Sequence, residues 1–312
     1  DLAGLPTMSG VYSVQLAAAA LQDVRGEGLE AYSSTFELDL AGPQVTWTSL
    51  DPDAILAPGP LTYQATFSEA MRETDLNAAY VVLHGVYRGQ DFSPASFVYE
   101  TETRTVTIAF PSLPEDAYQL TLLSGDGRFE DALGHDLDGD GDGLAGGDFV
   151  LAFRVEQPEV QTYPPLAAKF TAGSLIYDPV VSGVIGDGAD VDSFTVALDA
   201  GQTATVAVEA GSTLRPRVEL IDPSNGSLGA VESAAIGEGA ILQTVWASVP
   251  GTYTFNITGA AETLGAYTAR LIVNAAGEEE SVGGPSNNAL AQAQNIESSF
   301  LTLAGAGQRG AV

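Results

Sequence analysis

Asp136-Leu137-Asp138-Gly139-Asp140-Gly141-Asp142-Gly143, followed by Asp148 and then by Phe149-Val150-Leu151-Ala152-Phe153-Arg154-Val155, is the stretch that decides how the chain is read. Carboxylates alternate with glycines here, and like charges this close repel unless a cation sits among them. Oxygen ligands at loop positions 1, 3 and 5, with glycine at 6 for a sharp turn, form the first half of a calcium loop. Counted from Asp136, those positions are Asp136, Asp138, Asp140 and Gly141. The second half departs from the EF-hand pattern. Position 12 is Gly147 rather than Glu, and the carboxylate comes one residue later at Asp148. No amphipathic helix follows, and the apolar run 149–155 reads as a strand. The expectation is a calcium loop between β-strands, with Asp136, Asp138, Asp140, Asp142 and Asp148 supplying oxygens to Ca2+. The competing reading is a solvated acidic turn that holds no ion.

Outward from this loop the chain is almost entirely short β-type runs separated by Gly, Pro, Asp and Asn. Helix signals are few: Leu16–Leu21 is Ala-rich but short, and Asn288–Asn295 has room for two helical turns. Residues 45–157 hold one set of strands, at Val45–Leu50, Leu61–Phe67, Tyr80–His84, Tyr118–Leu123 and Phe149–Val155. Phe97–Phe110 reads as a hairpin that turns near Glu102-Thr103-Arg104. Some seven strands with turns between them fit an immunoglobulin-like sandwich. An internal repeat supports the reading. Gly10–Leu16 mirrors Ala117–Leu122, Asp23-Val24-Arg25-Gly26 mirrors Asp131-Ala132-Leu133-Gly134, and Phe36–Val45 mirrors Phe149–Val160. Residues 1–44 are therefore expected to be the C-terminal part of a preceding copy, with Glu30–Ser34 in place of the aspartate loop. The loop is then an elaboration of the sandwich rather than a requirement of it.

Thr66-Phe67-Ser68-Glu69-Ala70-Met71, the Tyr118 strand, Asp131-x-x-Gly134 and the closing strand together resemble the bacterial Ig-like domain of S-layer and other cell-surface proteins. That resemblance covers roughly residues 1–157 and implies repeated spacer or adhesive modules. A second unit, 158–275, carries Asp190-x-Asp192-x-Phe194, Ala200-Gly201-Gln202, Leu220-Ile221-Asp222-Pro223, Gly251-Thr252-Tyr253 and Gly265-Ala266-Tyr267. In that order they are similar to the bacterial pre-peptidase C-terminal (PPC) domain, a jelly-roll-like β-sandwich of secreted multidomain proteins. Its strands are expected at Thr195–Leu198, Thr203–Val208, Arg217–Ile221, Ala240–Val249, Thr252–Ile257 and Tyr267–Val273. Residues 276–312 read as a polar linker and the start of a further module, so the chain is expected to be a window on a tandem array. The fold class is all-β, built from tandem β-sandwich modules.

Composition narrows the function. Across 312 residues the formal net charge is -30, which leaves little positive surface for nucleic acid or anionic membranes. The same charge favours divalent cations and a solvated, self-repelling surface. The hydrophobic content of 45% permits packed cores, no apolar run reaches transmembrane length, and there is no cysteine. Asp1-Leu2-Ala3-Gly4 lacks the features of a signal peptide. His84 and His135 lie in unrelated contexts, without a nucleophile-elbow serine, a zinc pattern or a phosphate loop nearby. His84, ending an apolar strand, is expected to be a packed or edge residue rather than a base, and His135 a structural or solvated neighbour of the aspartate loop. Asp187-Gly188-Ala189-Asp190-Val191-Asp192 is a second calcium candidate, better explained by Asp192 bracing a strand. Asn225 and Asn256 match the glycosylation pattern. Tyr12, Phe67, Tyr118, Phe194, Tyr253, Trp47 and Trp246 are expected in cores rather than on a sugar platform.

The resulting expectation is a non-enzymatic, calcium-stabilised structural or adhesive segment of a large secreted or cell-surface bacterial protein. Its partners would be neighbouring copies or matrix polymers, with a homo-oligomer or fibre as one form of assembly. Two alternatives stay open: a non-catalytic accessory region of a secreted hydrolase, and a carbohydrate-binding module.

Overall fold

The computed structural model describes residues 9–170, 174–303 and 307–309. It is all-β, and its few helical segments are single 3-10 turns. A first hairpin pairs β1 (Gly10–Leu16) with β2 (Tyr32–Leu38) and stands as a two-stranded sheet.

The first sandwich follows. Its strands are β3 (Val45–Thr48), β4 (Ile55–Leu56), β5 (Gly59–Phe67), β6 (Val81–Gly85), β7 (Gln90–Phe92), β8 (Ser96–Glu100), β9 (Thr105–Leu113), β10 (Asp116–Leu122) and β11 (Phe149–Val155). One sheet runs β4-β11-β10-β6-β7 and the other β3-β5-β9-β8. Alternate residues of each strand face inward, as the two-residue period of a half-buried strand requires. Tyr63, Ala65 and Phe67 of β5 meet Tyr118, Leu120 and Leu122 of β10 in a single core.

The second sandwich uses β12 (Val160–Thr162), β13 (Val180–Ile185), β14 (Asp192–Leu198), β15 (Thr203–Ala210), β16 (Pro216–Ile221), β17 (Ser227–Glu232), β18 (Ala240–Trp246), β19 (Gly251–Gly259) and β20 (Gly265–Val273). Its sheets run β12-β14-β19-β16-β17 and β13-β20-β15-β18, around a core that includes Phe194, Tyr253 and Phe255. A short hairpin, β21 (Leu301–Leu303) with β22 (Gly307–Arg309), lies near the C-terminus. In each sandwich a buried tyrosine hydroxyl donates to a backbone carbonyl four residues upstream: Tyr118 to Pro114 at 2.8 Å and Tyr253 to Val249 at 2.7 Å. This pins the start of the strand to the turn before it, as in a tyrosine corner.

Several expectations change. Asn288–Asn295 holds one 3-10 turn, Leu290–Gln292, rather than two helical turns. Trp47 and Trp246 are half-exposed rather than in a core, because each sits on the outward register of its strand. Asn256 lies inside β19 and accepts a hydrogen bond from the Ser193 hydroxyl, whereas Asn225 occupies an exposed turn with φ of +67°. Among the described residues no helix is long and apolar enough to cross a membrane.

Candidate metal centre

The 26 residues between β10 and β11 are held from below by their own apolar side chains. Phe129 and Leu137 are fully buried in the first sandwich. The Ser124 hydroxyl donates to the Leu137 carbonyl at 2.7 Å, and the Ser124 amide donates to Asp148 Oδ1 at 2.8 Å. The loop is also tied to the chain entering β3. The Asp138 amide donates to the Pro43 carbonyl at 2.9 Å, and the Gly139 amide to the Gly147 carbonyl at 3.0 Å. These close approaches require glycine. A Cβ on Gly139 would stand 2.2 Å from the Phe149 nitrogen, and one on Gly42 would stand 2.1 Å from the Asp136 carbonyl oxygen. Gly141 and Gly143 supply left-handed turns, with φ of +73° and +87°, where a side chain would be strained.

This path gathers Asp138, Asp140 and Asp142, each offering a carboxylate oxygen within 4.8 Å of the others. Asp138 is the inner member, only 3% exposed. Its Oδ2 accepts from Gln44 Nε2 at 2.5 Å and from the Gly143 amide at 3.0 Å. Its Oδ1 is buried and has no hydrogen-bond partner. A buried carboxylate oxygen without a partner is costly, because water's solvation has been removed and nothing replaces it. Asp140 and Asp142 are exposed, and each accepts a local backbone amide that fixes the turn: Asp142 to Asp140 Oδ1, and Leu144 to Asp142 Oδ1. The cluster can therefore hold a metal ion, with the inner carboxylate pre-set by its buried hydrogen bonds and the outer two exposed beside it.

The other two aspartates go elsewhere. Asp136 gathers with Asp126 and Glu130 in a second acidic cluster, also within 4.8 Å, and its Oδ1 is likewise buried without a partner. Arg72 forms an ion pair with the buried Glu130 beside it. Asp148 braces Ser124 at the base of the loop. The structure thus brings together three of the five expected residues, sets Gln44 against them, and groups Asp126 and Glu130 with Asp136 instead. Of these, Gln44 lies 94 residues from Asp138 along the chain and carries no local signal. Asp126 and Glu130 were readable only as two more acids in an acidic chain.

His135 does not reach toward the carboxylate trio. Its Nδ1 lies 2.8 Å from Asp131 Oδ2, while Asp131 Oδ1 accepts the amides of Leu133 and His135. Burial pushes the Asp131 carboxyl up, but the amide and ring of His135 and the amide of Leu133 outweigh it and hold it below the ordinary range. His84, at the end of β6, pairs with Asp91 of β7 at 2.6 Å.

A third acidic group lies at the junction of the two sandwiches. Glu115, immediately before β10, is buried and accepts the amide of Val184 from β13 at 2.8 Å and that of Gln157 at 3.3 Å. Burial, reinforced by the nearby Asp192 carboxylate, pushes Glu115 up to about 8. Asp192 is itself pushed up to about 6 by burial, against the Tyr267 hydroxyl that donates to it at 2.6 Å. Asp192 of β14 therefore braces β20 from within, and Asp187 is engaged by Arg154 at 3.3 Å. A cavity of about 310 Å³ opens beside them, lined by Glu115, Glu156, Glu159, Asp187 and Asp190 among others.

No family model matches the chain, and no curated protein matches it. Among solved structures, distant likenesses are found to bacterial proteins. A periplasmic lysozyme inhibitor, PliG of Aeromonas hydrophila, aligns at 16% identity over 36% of this chain and 96% of its own, with a TM-score of 0.25. Domains 1–6 of the surface layer protein SbsC align at 9% identity over 65% of this chain and 32% of that one, with a TM-score of 0.26. The secreted serine protease VesC of Vibrio cholerae aligns at 10% identity over 75% of this chain and 50% of its own, with a TM-score of 0.24. These likenesses are slight, and the sandwich architecture stands on the strand order described above.

Proposed function

We propose that this chain is a calcium-stabilised structural or adhesive segment of a large secreted or cell-surface bacterial protein, built from Ig-like and PPC-like sandwiches. The observation that carries the reading is Asp138 Oδ1, a buried carboxylate oxygen with no partner, set against the carboxylates of Asp140 and Asp142. The donor set is all oxygen, which suits a hard cation such as Ca2+ better than zinc or copper. Asp138, Asp140 and Asp142 would hold the ion. Bound there, the ion would neutralise the cluster and clamp the loop to the chain at Pro43 and Gln44, a mechanical role rather than a catalytic one. Extracellular modules bind calcium at about 10⁻⁴ to 10⁻³ M, which fits a position outside the cytoplasm. Neighbouring copies or matrix polymers are the partners such a segment would meet.

The test is the melting temperature of the full chain in chelator and in excess CaCl2. At a hundredfold excess over Kd the ion adds about 2.7 kcal/mol, a rise on the order of 10 °C for a unit of this size. Identical melting curves in the two conditions would remove the proposal.

A further inference from the structure

The β1–β2 hairpin repeats the strand register and several loop hydrogen bonds of the C-terminal half of the first sandwich. In the sandwich, Tyr118 of β10 faces Phe153 of β11, with the rings stacked at 5.3 Å. In the hairpin, Tyr12 faces Phe36 in the equivalent register, with the rings stacked at 5.9 Å. This makes Phe36 the counterpart of Phe153, whereas the sequence repeat aligned it with Phe149. The connecting loops match as well. Asp131 Oδ1 accepts the amides two and four residues ahead, and Asp23 Oδ1 accepts those of Arg25 and Glu27. The Asp131 amide donates to the His135 carbonyl at 2.9 Å, and the Asp23 amide to the Glu27 carbonyl at 2.9 Å. Leu137 donates to the Phe129 carbonyl, and Leu29 to that of Leu21, each at 2.9 Å.

What differs is the cover. Phe129 and Leu137 are 0% exposed, whereas their counterparts Leu21 and Leu29 are 55% and 54% exposed. Val14, Leu16 and Phe36 are likewise exposed where Leu120, Leu122 and Phe153 are buried. In the first sandwich that face is covered by residues 45–113. Phe67 and Phe97 pack on Phe129, β6 pairs along the free edge of β10, and β4 pairs along that of β11. Among the described residues no strand pairs with the outer edge of β1 or of β2. Apolar positions and open strand edges of this kind require a partner in water.

We infer that the inner face of the β1–β2 hairpin is a docking surface whose occupant is an N-terminal half-sandwich of the kind formed by residues 45–113. The occupant presents a sheet like β3-β5-β9-β8 to Leu21, Leu29 and Phe36, and an antiparallel strand like β6 to β1. It is identified by complementarity alone: the hairpin keeps the register, the stacked ring pair and the aspartate-capped loop that this cover fits in the first sandwich. The aspartate trio has no counterpart in the hairpin, so the inference is independent of any cation.

The test duplicates residues 45–115 ahead of Gly10 in the full chain, which places Gly10 where Asp116 follows Glu115. Amide hydrogen exchange is read over 10–16 and 32–38. Docking is expected to slow exchange there by roughly 100-fold and to add a cooperative unfolding transition. A second fusion carrying Ser34→Leu, which restores the core residue found at Leu151, is measured alongside. Unchanged exchange in both fusions overturns the inference. So does a dimer of the unfused chain that Phe36→Asp dissociates, because that outcome assigns the face to a second copy.

Discussion

Replacing Asp138 by Asn should invert its effect on stability between chelator and calcium. Three carboxylates within 4.8 Å give three repulsive pairs, and the substitution removes two of them. Each pair costs from ~0.9 kcal/mol in a water-like dielectric to ~3.5 kcal/mol at an effective constant of 20. Asp140 and Asp142 are exposed, which places the relief near the lower end, at about 2 kcal/mol. Against this stand the two hydrogen bonds that Gln44 and Gly143 donate to Oδ2. An amide oxygen accepts them more weakly than a carboxylate, for a loss of about 1 kcal/mol.

The net expectation in chelator is a variant more stable than the parent by about 1 kcal/mol, or roughly 3–5 °C in melting temperature. In calcium at a hundredfold excess over Kd the parent gains about 2.7 kcal/mol and the variant little, so the order reverses. Scanning calorimetry of both proteins in both conditions reads all four values. The gap in chelator should also shrink at about 1 M salt, where screening acts within ~3 Å. Equal destabilisation of the variant with and without calcium would refute the reasoning, because the carboxylate would then serve only as an acceptor for Gln44 and Gly143.

Gly139→Ala should destabilise the first sandwich by about 3 kcal/mol or more, since its Cβ would stand 2.2 Å from backbone. Gly127→Ala, with φ of +68° but open space around it, should cost nearer 1 kcal/mol, and urea titration of both variants compares them. Arg72→Met strands the buried Glu130 carboxylate and should cost about 2–3 kcal/mol in the same titration. That is less than for a fully buried pair, because Arg72 is itself over a third exposed. Glu115, raised to about 8 in the folded junction, stabilises it while protonated. That contribution is complete below the ordinary carboxylate pKa of about 4.3 and is lost as pH rises through 8. The junction should therefore weaken by of order 3 kcal/mol between roughly pH 6 and 9. Glu115→Gln should flatten the profile, read by thermal melts or by the particle's maximum dimension in X-ray scattering.

The strands legible in the sequence are those with one face in a core. Leu61–Phe67 and Tyr118–Leu123 alternate because each buries every second residue. β4 and β7 escaped notice because two or three residues cannot show a period. β17, Ser227-Leu228-Gly229-Ala230-Val231-Glu232, lies at a sheet edge and buries too little to alternate in apolarity. The aspartate trio was legible for the same local reason: residues two apart, on a glycine-rich turn, converge. Local spacing does not say where the turn leaves off. Asp136 stands before Leu137, which the core takes, and its carboxylate joins Asp126 and Glu130 across the loop rather than the trio. Asp148 lies beyond two left-handed glycines and meets Ser124 instead. Gln44 belongs to the site through tertiary folding alone.

The acidic groups of the first sandwich share a placement that gives the charge a mechanical meaning. At one end the Asp138 amide donates to the Pro43 carbonyl and its carboxylate accepts from the Gln44 side chain, in the segment that joins the hairpin to β3. Gly42 in that segment lies so close to the Asp136 carbonyl that no side chain fits between them. At the other end Glu115 accepts amides from Gln157, in the connector, and from Val184, in the second sandwich. Each connector is thus held by a buried carboxylate, one with an oxygen left over and one raised toward neutrality by its surroundings. On the proposed reading a cation would answer the charge at Asp138, and a proton would answer that at Glu115. Calcium and pH should then act on different joints of the same chain.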